Sequence, residues 1–447
     1  MRRREFLASL AAPALAPAQA AARPNILLIL ADDLGYGNLG CYGAREILTP
    51  NLDKLAAEGM RFTQAYAGST VCAPSRCALM TGYHTGHALV RGNGQRDLSL
   101  GAGDVTITEI LKRAGYRTGL FGKWSLGGLG TPGYPTRKGF DEWFGFFSQT
   151  HAHNYYPEHL LENEREFLLR GNTGTQRRDY AHDVIQERAM KFLSETRPEP
   201  FFCKLSLTIP HANNEMGRDA TNGMEVPDTA PYTAKNWPAP DKNFAAMVTR
   251  MDKGVGEIVN LLRSSGKLGN TLIWFSSDNG PHREGGHNPD FFDDNGPLRG
   301  IKRDLYEGGV RVPTIVRWDG QTPAGRVSDQ VWAHWDLLPT LAEAAGQPAP
   351  AGIDGLSMLA ALRGGKPARE HEYLYWEFHE RGFQQAVRFG DWKAVRPKPG
   401  APVELYNLRS DLGETKNVAA ANAEVAAQAE RYLKAARTDS AHWPVKL

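Results

Sequence analysis

The 447-residue chain has few cysteines, little net charge and few long hydrophobic runs, and each shortage excludes a class of protein. Four cysteines are too few to form the framework of a disulfide-rich scaffold of this length. A formal net charge of +2, with no basic run beyond the first residues, gives no reason to expect a nucleic-acid partner. The chain is 41% hydrophobic and 23% charged, which is typical of an ordinary globular protein with a sizeable core.

The N terminus carries the one stretch that looks like a targeting signal. Three arginines at 2–4 precede an alanine-rich apolar segment that ends near Ala18-Gln19-Ala20. The segment is shorter than the roughly 20 residues of a spanning helix and is broken by Pro13 and Pro17. Residues 1–22 therefore resemble a cleaved signal peptide, and Arg3-Arg4-x-Phe6-Leu7 indicates the twin-arginine type. We expect a bacterial periplasmic or secreted protein without a membrane span in its mature form.

Four apolar runs, each followed by polar residues, predict strands buried on both faces of a sheet. They lie at 25–30, 116–121, 201–207 and 271–276. Helical patterns come between them, at 51–58, 106–114, 181–196 and 245–264. This alternation predicts an α/β fold with a mostly parallel sheet flanked by helices. Because such sheets bind ligands beyond the carboxyl ends of their strands, the polar residues there form the candidate site.

The composition changes at about residue 346. A link rich in Pro, Ala and Gly, 346–352, precedes four short aromatic-rich runs and an alanine-rich helix at 422–436. The runs lie at 373–378, 384–388, 392–395 and 403–406. Short runs separated by turn residues predict an antiparallel sheet. We therefore predict a large α/β domain over 23–345 and a small C-terminal α+β domain over 346–447.

Four oxygen-bearing side chains follow two of the predicted strands. Asp32 and Asp33 come after the first strand, and Asp278 and Asn279 come after the fourth. An isolated Asp-Asp pair is more often a turn or a helix cap than a ligand pair. Two clusters of carboxylate and amide oxygens, without thiolate or imidazole, favour a hard cation, with Ca²⁺ ahead of Mg²⁺.

The segment 69–82 reads S-T-V-C-A-P-S-R-C-A-L-M-T-G, and its C-x-P-S-R core followed by T-G resembles the activation signature of the type I sulfatases. In this arylsulfatase A-like family of the alkaline phosphatase superfamily, a maturation enzyme (formylglycine-generating or equivalent) oxidises the cysteine to formylglycine. The resemblance implies that Cys72 becomes the nucleophile: one hydroxyl of the formylglycine hydrate attacks sulfur, and the other then loses its proton to expel sulfate. A buried structural cysteine beside a turn is the alternative interpretation.

Other stretches also match family motifs, and the matches imply roles. Arg76 would brace formylglycine, while Lys123 in G-K-W and Lys302 before Y-E-G-G-V-R would clamp the sulfate. His211 in Pro210-His211 would contact sulfate and protonate the leaving oxygen. The resemblance also implies a divalent metal, held as a Lewis acid by position 72 and the four oxygen-bearing residues. These metal ligands are Asp32, Asp33, Cys72 (as formylglycine), Asp278 and Asn279.

The sequence departs from the family pattern at one position. Most members read G-K-W-H-L-G, where the histidine is thought to remove the second proton of the hydrate, whereas 122–127 reads G-K-W-S-L-G. Ser125 is a poor base. The segment 151–157, H-A-H-N-Y-Y-P, follows a loop expected to border the pocket. We expect His153, ahead of His151, to supply the missing imidazole; the alternative is that both are surface histidines.

The sequence therefore predicts an exported, metal-dependent sulfatase that hydrolyses sulfate monoesters of a sugar or an aryl alcohol. Aromatic residues in two loops favour a sugar: Tyr155, Tyr156, Phe291 and Phe292. One alternative is a phosphatase or phosphonate monoester hydrolase on the same alkaline phosphatase-like scaffold. Another is a non-catalytic protein that binds sulfated glycans, which Ser125 in place of histidine would permit.

Overall fold

The computed structural model describes residues 23–93, 98–216 and 222–445. The predicted signal peptide, 1–22, lies outside the described residues. The helices are α1 (Pro50–Glu58), α2 (Cys72–Thr81), α3 (Ile107–Arg113), α4 (Ala181–Ser194), α5 (Ala239–Ser264), α6 (Glu307–Val310), α7 (Leu337–Ala344), α8 (Leu359–Leu362) and α9 (Ala423–Ala435). The strands are β1 (Asn25–Ala31), β2 (Met60–Phe62), β3 (Ala65–Tyr66), β4 (Arg117–Gly122), β5 (Glu142–Gly145), β6 (His159–Glu162), β7 (Arg165–Leu168), β8 (Phe201–Ser206), β9 (Thr271–Ser277), β10 (Thr314–Arg317), β11 (Arg326–Ser328), β12 (Trp332–Ala333), β13 (Leu374–Phe378), β14 (Gln384–Phe389), β15 (Trp392–Arg396) and β16 (Glu404–Asn407).

A ten-stranded mixed sheet in the order β11-β2-β10-β9-β1-β8-β4-β5-β6-β7 forms the centre of the molecule. Strands β9, β1, β8, β4 and β5 run parallel, whereas β10, β6 and β7 pair antiparallel with their neighbours. The four predicted buried strands are present as β1, β4, β8 and β9, each within one residue of its predicted ends. The predicted α/β class, with a mostly parallel mixed sheet flanked by helices, is confirmed.

Helices cover both faces of this sheet, which explains the unbroken apolar runs. In β1, Leu27 and Ile29 pack with α1, α4 and α5, while Leu28 and Leu30 pack on the other side with α2, α3 and α7. Since successive side chains of a strand point to opposite faces, a strand that lies between two cores is apolar at most of its positions. In β1 the acidic residues come only after the strand ends, at Asp32 and Asp33.

The strand register places these ends side by side. Leu30 of β1 is the partner of Ser206 at the end of β8, and Ser206 is also the partner of Gly122 at the end of β4. Ala31 is the partner of Ser277 at the end of β9. The residues that follow β1, β4, β8 and β9 therefore meet at one edge of the sheet, as the sequence predicted.

A separate four-stranded antiparallel sheet, β13-β14-β15-β16, carries α9 on one face and confirms the predicted small α+β unit. Its other face packs on the segment that leads into α2, where the indole Nε1 of Trp376 donates to the Ala67 carbonyl at 2.9 Å. Helix α8 lies beyond residue 346, yet its Leu359 and Leu362 belong to the core of the large sheet. The small sheet therefore supports the helix that carries Cys72.

The state of the cysteines and the character of the helices complete the description of the fold. All four cysteines are described, and Cys41, Cys72, Cys77 and Cys203 are free thiols in the structure. Across the described ranges, no helix combines the length and apolar character needed to cross a bilayer.

Candidate active site

Helix α2 positions Cys72 as its first residue, at the carboxyl edge of the large sheet. Every residue of this helix is buried, so the helix lacks the amphipathic period that would have predicted it from sequence. The Cys72 thiol donates to Asp32 Oδ1 at 3.3 Å. Burial, followed by the Asp32 carboxylate, raises the pKa of Cys72 well above its ordinary value. An unmodified Cys72 is therefore a protonated, weak nucleophile.

Arg76 lies one helical turn after Cys72 and uses its guanidinium to join three elements. Its Nε and Nη2 donate to Asp278 Oδ2 at 3.0 and 2.7 Å. Its Nη1 donates to the Lys123 carbonyl at 3.2 Å and to the Ser206 hydroxyl. The spacing of Cys and Arg in the signature therefore places both on one helix face, with the arginine beneath the cysteine.

Two buried lysines reach the carboxylates that follow β1. Lys123 Nζ donates to Asp32 Oδ2 and Lys302 Nζ donates to Asp33 Oδ2, each at 2.7 Å. Burial by itself lowers the pKa of both lysines, but the neighbouring carboxylates outweigh it and raise the pKa of each above its ordinary value. Both lysines are therefore charged and available to an anion.

The four oxygen-bearing residues lie together, and one of their oxygen atoms has no hydrogen-bond partner within the described ranges. Asn279 Nδ2 donates to Asp33 Oδ1 at 2.7 Å, while Asn279 Oδ1 is buried and has no hydrogen-bond partner among the described residues. Burial and then Asp32 raise the pKa of Asp278 to about 7, because the carboxylates crowd one another. An oxygen-only donor set with an orphaned acceptor and crowded carboxylates fits a hard cation. Ligand atoms of Asp32, Asp33, Cys72 and His211 lie within 4.8 Å of one another.

His211 lies beside Lys302 at the end of β8. Its Nδ1 is 2.6 Å from the Ala212 carbonyl, so Nδ1 carries the proton and Nε2 accepts from Lys302 Nζ at 3.0 Å. Burial and then Lys302 lower the pKa of His211 well below its ordinary value. The proton nearest to a leaving oxygen at this position is therefore held on Lys302, with His211 as its neighbour.

A cavity of about 580 Å³ opens above these residues, and we call it the Cys72 cavity. Its lining residues come from α2, the ends of β4 and β8, several loops and the small C-terminal unit. They are Cys72, Ala73, Val90, Gly92, Asn93, Leu98, Ser125, Ser148, Gln149, Thr150, His153, His211, Asn214, Glu215, Lys302, Arg303 and Glu380. Twelve of these seventeen residues carry a polar N or O atom in the side chain, so the cavity suits a hydrophilic ligand.

The structure separates the two histidines that were candidates for the missing imidazole. His153 lines the Cys72 cavity and its ring stacks on His211, with ring centroids 4.4 Å apart. His151 instead packs against Phe146 and His159, and its Nδ1 accepts the Phe147 N–H at 3.0 Å. The structure therefore includes His153 in the lining of the Cys72 cavity and does not include His151, whose ring packs elsewhere; a role for His151 stays a prediction.

The four aromatic residues expected to stack on sugar rings do not line the Cys72 cavity. Tyr155 is fully buried and donates to the Thr208 carbonyl at 2.9 Å. Tyr156 lies under Arg177, and Phe291 and Phe292 pack with Trp237. These four rings pack against other parts of the protein, so they do not support a sugar substrate.

Sequence reasoning missed several charged residues that line the cavity or contact its lining. Glu284 accepts from Lys302 at 3.3 Å and from Arg303 at 2.6 Å, and Glu380 reaches the cavity from the small C-terminal unit. Burial works to raise the pKa of Glu284, but Lys302 and other cations lower it strongly. A single glutamate in a loop carries no motif; the closeness of Glu284 to Asp278-Asn279 in sequence was the one available signal.

Comparisons with known proteins agree on one family. The family profile described as Sulfatase matches residues 24–347, and the profile for the C-terminal part of N-sulphoglucosamine sulphohydrolase matches residues 300–439. The chain is 33% identical over 421 residues to N-acetylgalactosamine-6-sulfatase of Canis lupus familiaris, covering 87% of this chain and 74% of the relative. It is 32% identical over 464 residues to Homo sapiens arylsulfatase A, covering 91% and 85% of the two chains. The solved structure of Ps i-CgsB in complex with k-i-k-neocarrahexaose superposes with a TM-score of 0.79, at 29% identity, covering 92% of each chain.

Proposed function

This chain belongs to the sulfatase family and is a sulfuric ester hydrolase, and we propose that it is an exported enzyme that removes sulfate from a sulfated carbohydrate, with formylglycine at position 72 and a bound Ca²⁺. The observation that carries this proposal is the position of Cys72. Its thiol lies in a polar cavity, between buried cations and the acidic residues that follow β1 and β9. A plain cysteine with a raised pKa would be protonated and a weak nucleophile, which supports a modified residue at this position.

The oxygen-only donor set supports the choice of Ca²⁺. Asp32, Asp33, Asp278 and Asn279 would hold the cation together with position 72, and the unpartnered Asn279 Oδ1 is a ligand atom ready for it. When bound, the cation supplies positive charge beside a sulfate oxygen, and formylglycine supplies a hydrated aldehyde as nucleophile.

The side chains of this chain then bind and orient the ester. Lys123 and Lys302 attract its anionic oxygens. Because both lysines are buried, their charges act in a medium of low dielectric constant. Arg76 fixes the helix turn beneath position 72 through Asp278. Lys302 and His211, 3.0 Å apart, are placed to deliver a proton to the leaving alcohol oxygen.

Two observations support a carbohydrate over a simple aryl sulfate. The relative from Canis lupus familiaris is named for N-acetylgalactosamine, and the solved neighbour holds a neocarrahexaose. The cavity of about 580 Å³ has a largely polar lining, as a hydroxyl-rich ligand requires. Export is proposed from the arginine-rich, alanine-rich N-terminal segment.

Mass spectrometry across residue 72 tests the proposal. In a host that contains a formylglycine-generating enzyme, conversion of the Cys72 thiol to the aldehyde should lower the peptide mass by about 18 Da. The converted protein should cleave sulfated sugars faster than matched phosphate esters, and Cys72→Ala should cleave neither. A thiol that persists in a competent host would favour glycan binding without catalysis. Faster cleavage of phosphate or phosphonate esters would assign a different hydrolase.

A further inference from the structure

His153 is a mostly buried histidine whose outer ring nitrogen has no partner. Its side chain is 12% exposed, and its Nε2 makes no hydrogen bond to any part of the chain that the structure describes. Buried polar atoms are nearly always paired, so an orphaned nitrogen in a ligand cavity points to a role with the ligand.

Glu215 determines which nitrogen of His153 carries the proton. The distance from His153 Nδ1 to Glu215 Oε1 is 3.0 Å. A carboxylate can only accept, so Nδ1–H donates to Glu215 and Nε2 keeps its lone pair. This is the tautomer of a general base, with the carboxylate orienting the ring.

His153 lines the same cavity as Cys72. The ring lies almost parallel to that of His211, at 13° and with 4.4 Å between centroids, and both rings line the cavity that contains Cys72. Burial, then His211 and Lys123, lower the pKa of His153 to about 2, so its imidazole is neutral. An anionic ester in the cavity would raise that pKa and strengthen the base.

His211, the other described histidine that lines the cavity, has no free lone pair, and neither does His282 beside it. His211 Nε2 accepts from Lys302, and His282 uses Nδ1 to accept the Glu284 N–H at 3.0 Å. Since His282 Nδ1 accepts, its Nε2–H donates to the Pro210 carbonyl at 3.1 Å. Ser125, whose hydroxyl donates to Gln149 Oε1, has no basic atom.

We propose that His153, oriented by Glu215, is the base that releases sulfate from residue 72 in this enzyme; this rests on the proposed function. In that step Nε2 takes the proton from the hydroxyl on the side-chain carbon of residue 72. The electron pair of the O–H bond becomes the second bond of the carbonyl. The bond between that carbon and the sulfate oxygen breaks, and sulfate leaves with the pair. Water then takes the proton from Nε2. Glu215 is a positioning residue.

Rapid-quench kinetics on the matured enzyme test this role. His153→Ala and His153→Gln should release one alcohol per active site at the normal rate and then stall, with sulfate release about 10²–10⁴-fold slower. Intact mass should show one sulfate retained on the variant protein. Glu215→Gln should slow the same step by less. His159→Gln, a histidine outside the cavity, should match the wild type.

A second-site variant controls for misfolding. Ser125 has a left-handed backbone, with φ of 70°, which histidine tolerates better than most residues. Ser125→His in the His153→Ala background should therefore restore part of the sulfate release. Equal sulfate release by wild type and both His153 variants would overturn the proposal, as would slow alcohol release without retained sulfate.

A spectroscopic readout is independent of turnover. In ¹⁵N-histidine-labelled protein with unmodified Cys72, long-range ¹H–¹⁵N spectra should show His153 as the Nδ1–H tautomer, and Glu215→Gln should weaken that preference. A proton on Nε2 would overturn the assignment. If matured wild-type protein carries the aldehyde but cleaves no sulfate ester, the proposed function itself fails, and this role fails with it.

Discussion

Arg76 and Asp278 form a two-point ion pair beneath Cys72, in which Nε and Nη2 of the arginine both donate to Oδ2 of the aspartate, at 3.0 and 2.7 Å. Both side chains are fully buried. Arg76 belongs to the helix that carries the nucleophile position, and Asp278 follows β9. The pair therefore ties that helix to the edge of the sheet where the cation would bind.

Removing the arginine should destabilise the whole protein. Arg76→Met leaves the Asp278 carboxylate buried without its partner, and we expect the free energy of unfolding to fall by about 3–5 kcal/mol. Urea denaturation of the metal-free protein measures this. Arg409→Met, which removes a pair to Asp391 from an arginine that is 79% exposed, should cost about 1 kcal/mol or less. Similar losses for both variants would contradict the prediction.

Calcium should stabilise the folded protein. Ca²⁺ at a hundredfold excess over its dissociation constant should add about 2.7 kcal/mol to the free energy of unfolding and raise Tm. Mg²⁺ should do less at the same concentration, since it requires near-ideal octahedral geometry and loses its bound water reluctantly. Differential scanning calorimetry compares the two ions. Asn279→Ala, which removes the unpartnered oxygen, should reduce the shift, whereas Asp290→Asn on the exposed surface should keep it. An equal calcium shift in Asn279→Ala would argue against this site.

The two buried lysines should matter more for turnover than a surface lysine does. Lys302→Met removes a charge that contacts Asp33 and His211, and we expect kcat to fall about 10²–10³-fold because a stabilising donor is lost. Inhibition by inorganic sulfate should weaken in the same variant. Lys253→Met, at a lysine that is 76% exposed, serves as the control and should change neither quantity. Unchanged inhibition by sulfate in Lys302→Met would show that Lys302 does not contribute to anion binding.

Acid should weaken the contact between the small sheet and the large domain. Burial works to raise the pKa of Glu377, but hydrogen bonds from His379 and Arg91 lower it to about 2. A depressed pKa means that the carboxylate stabilises the fold at neutral pH and loses this effect as pH falls from its ordinary pKa of 4.5 towards 2. The contribution is on the order of 3 kcal/mol.

Unfolding measured from pH 7 to pH 3 checks this dependence. The stability difference between wild type and Glu377→Gln should shrink as pH falls, because glutamine has no proton to gain. Glu166→Gln, on the exposed part of β7, is the matched control. A difference that stays constant down to pH 3 would show that Glu377 is not held as a carboxylate by its partners.

The central strands were predicted well because one local signal dominates there, whereas two helices were not. Strands buried on both faces appear in the sequence as apolar runs. The ends of β1, β4, β8 and β9 therefore lie within one residue of their predicted positions. Helix α5 begins six residues before the predicted 245, because its first turn, with Pro240 and Asp241, looks like a polar loop. Helix α2 was missed because it is buried on all sides and has no amphipathic period.

The sequence by itself determined the family, the fold class and the residues that follow the central strands. The family is predicted from local motifs. The site residues are predicted from the rule that parallel strands end at the same edge of a sheet, which brings Asp32 after β1 close to Asp278 after β9. Only the tertiary structure decided which nearby side chains face the cavity. His153 contacts Glu215 and His211, whereas His151 packs against Phe146 and Tyr155 lies in the core. The reason is physical: side-chain direction in a loop depends on contacts between residues far apart in sequence, which no local pattern encodes.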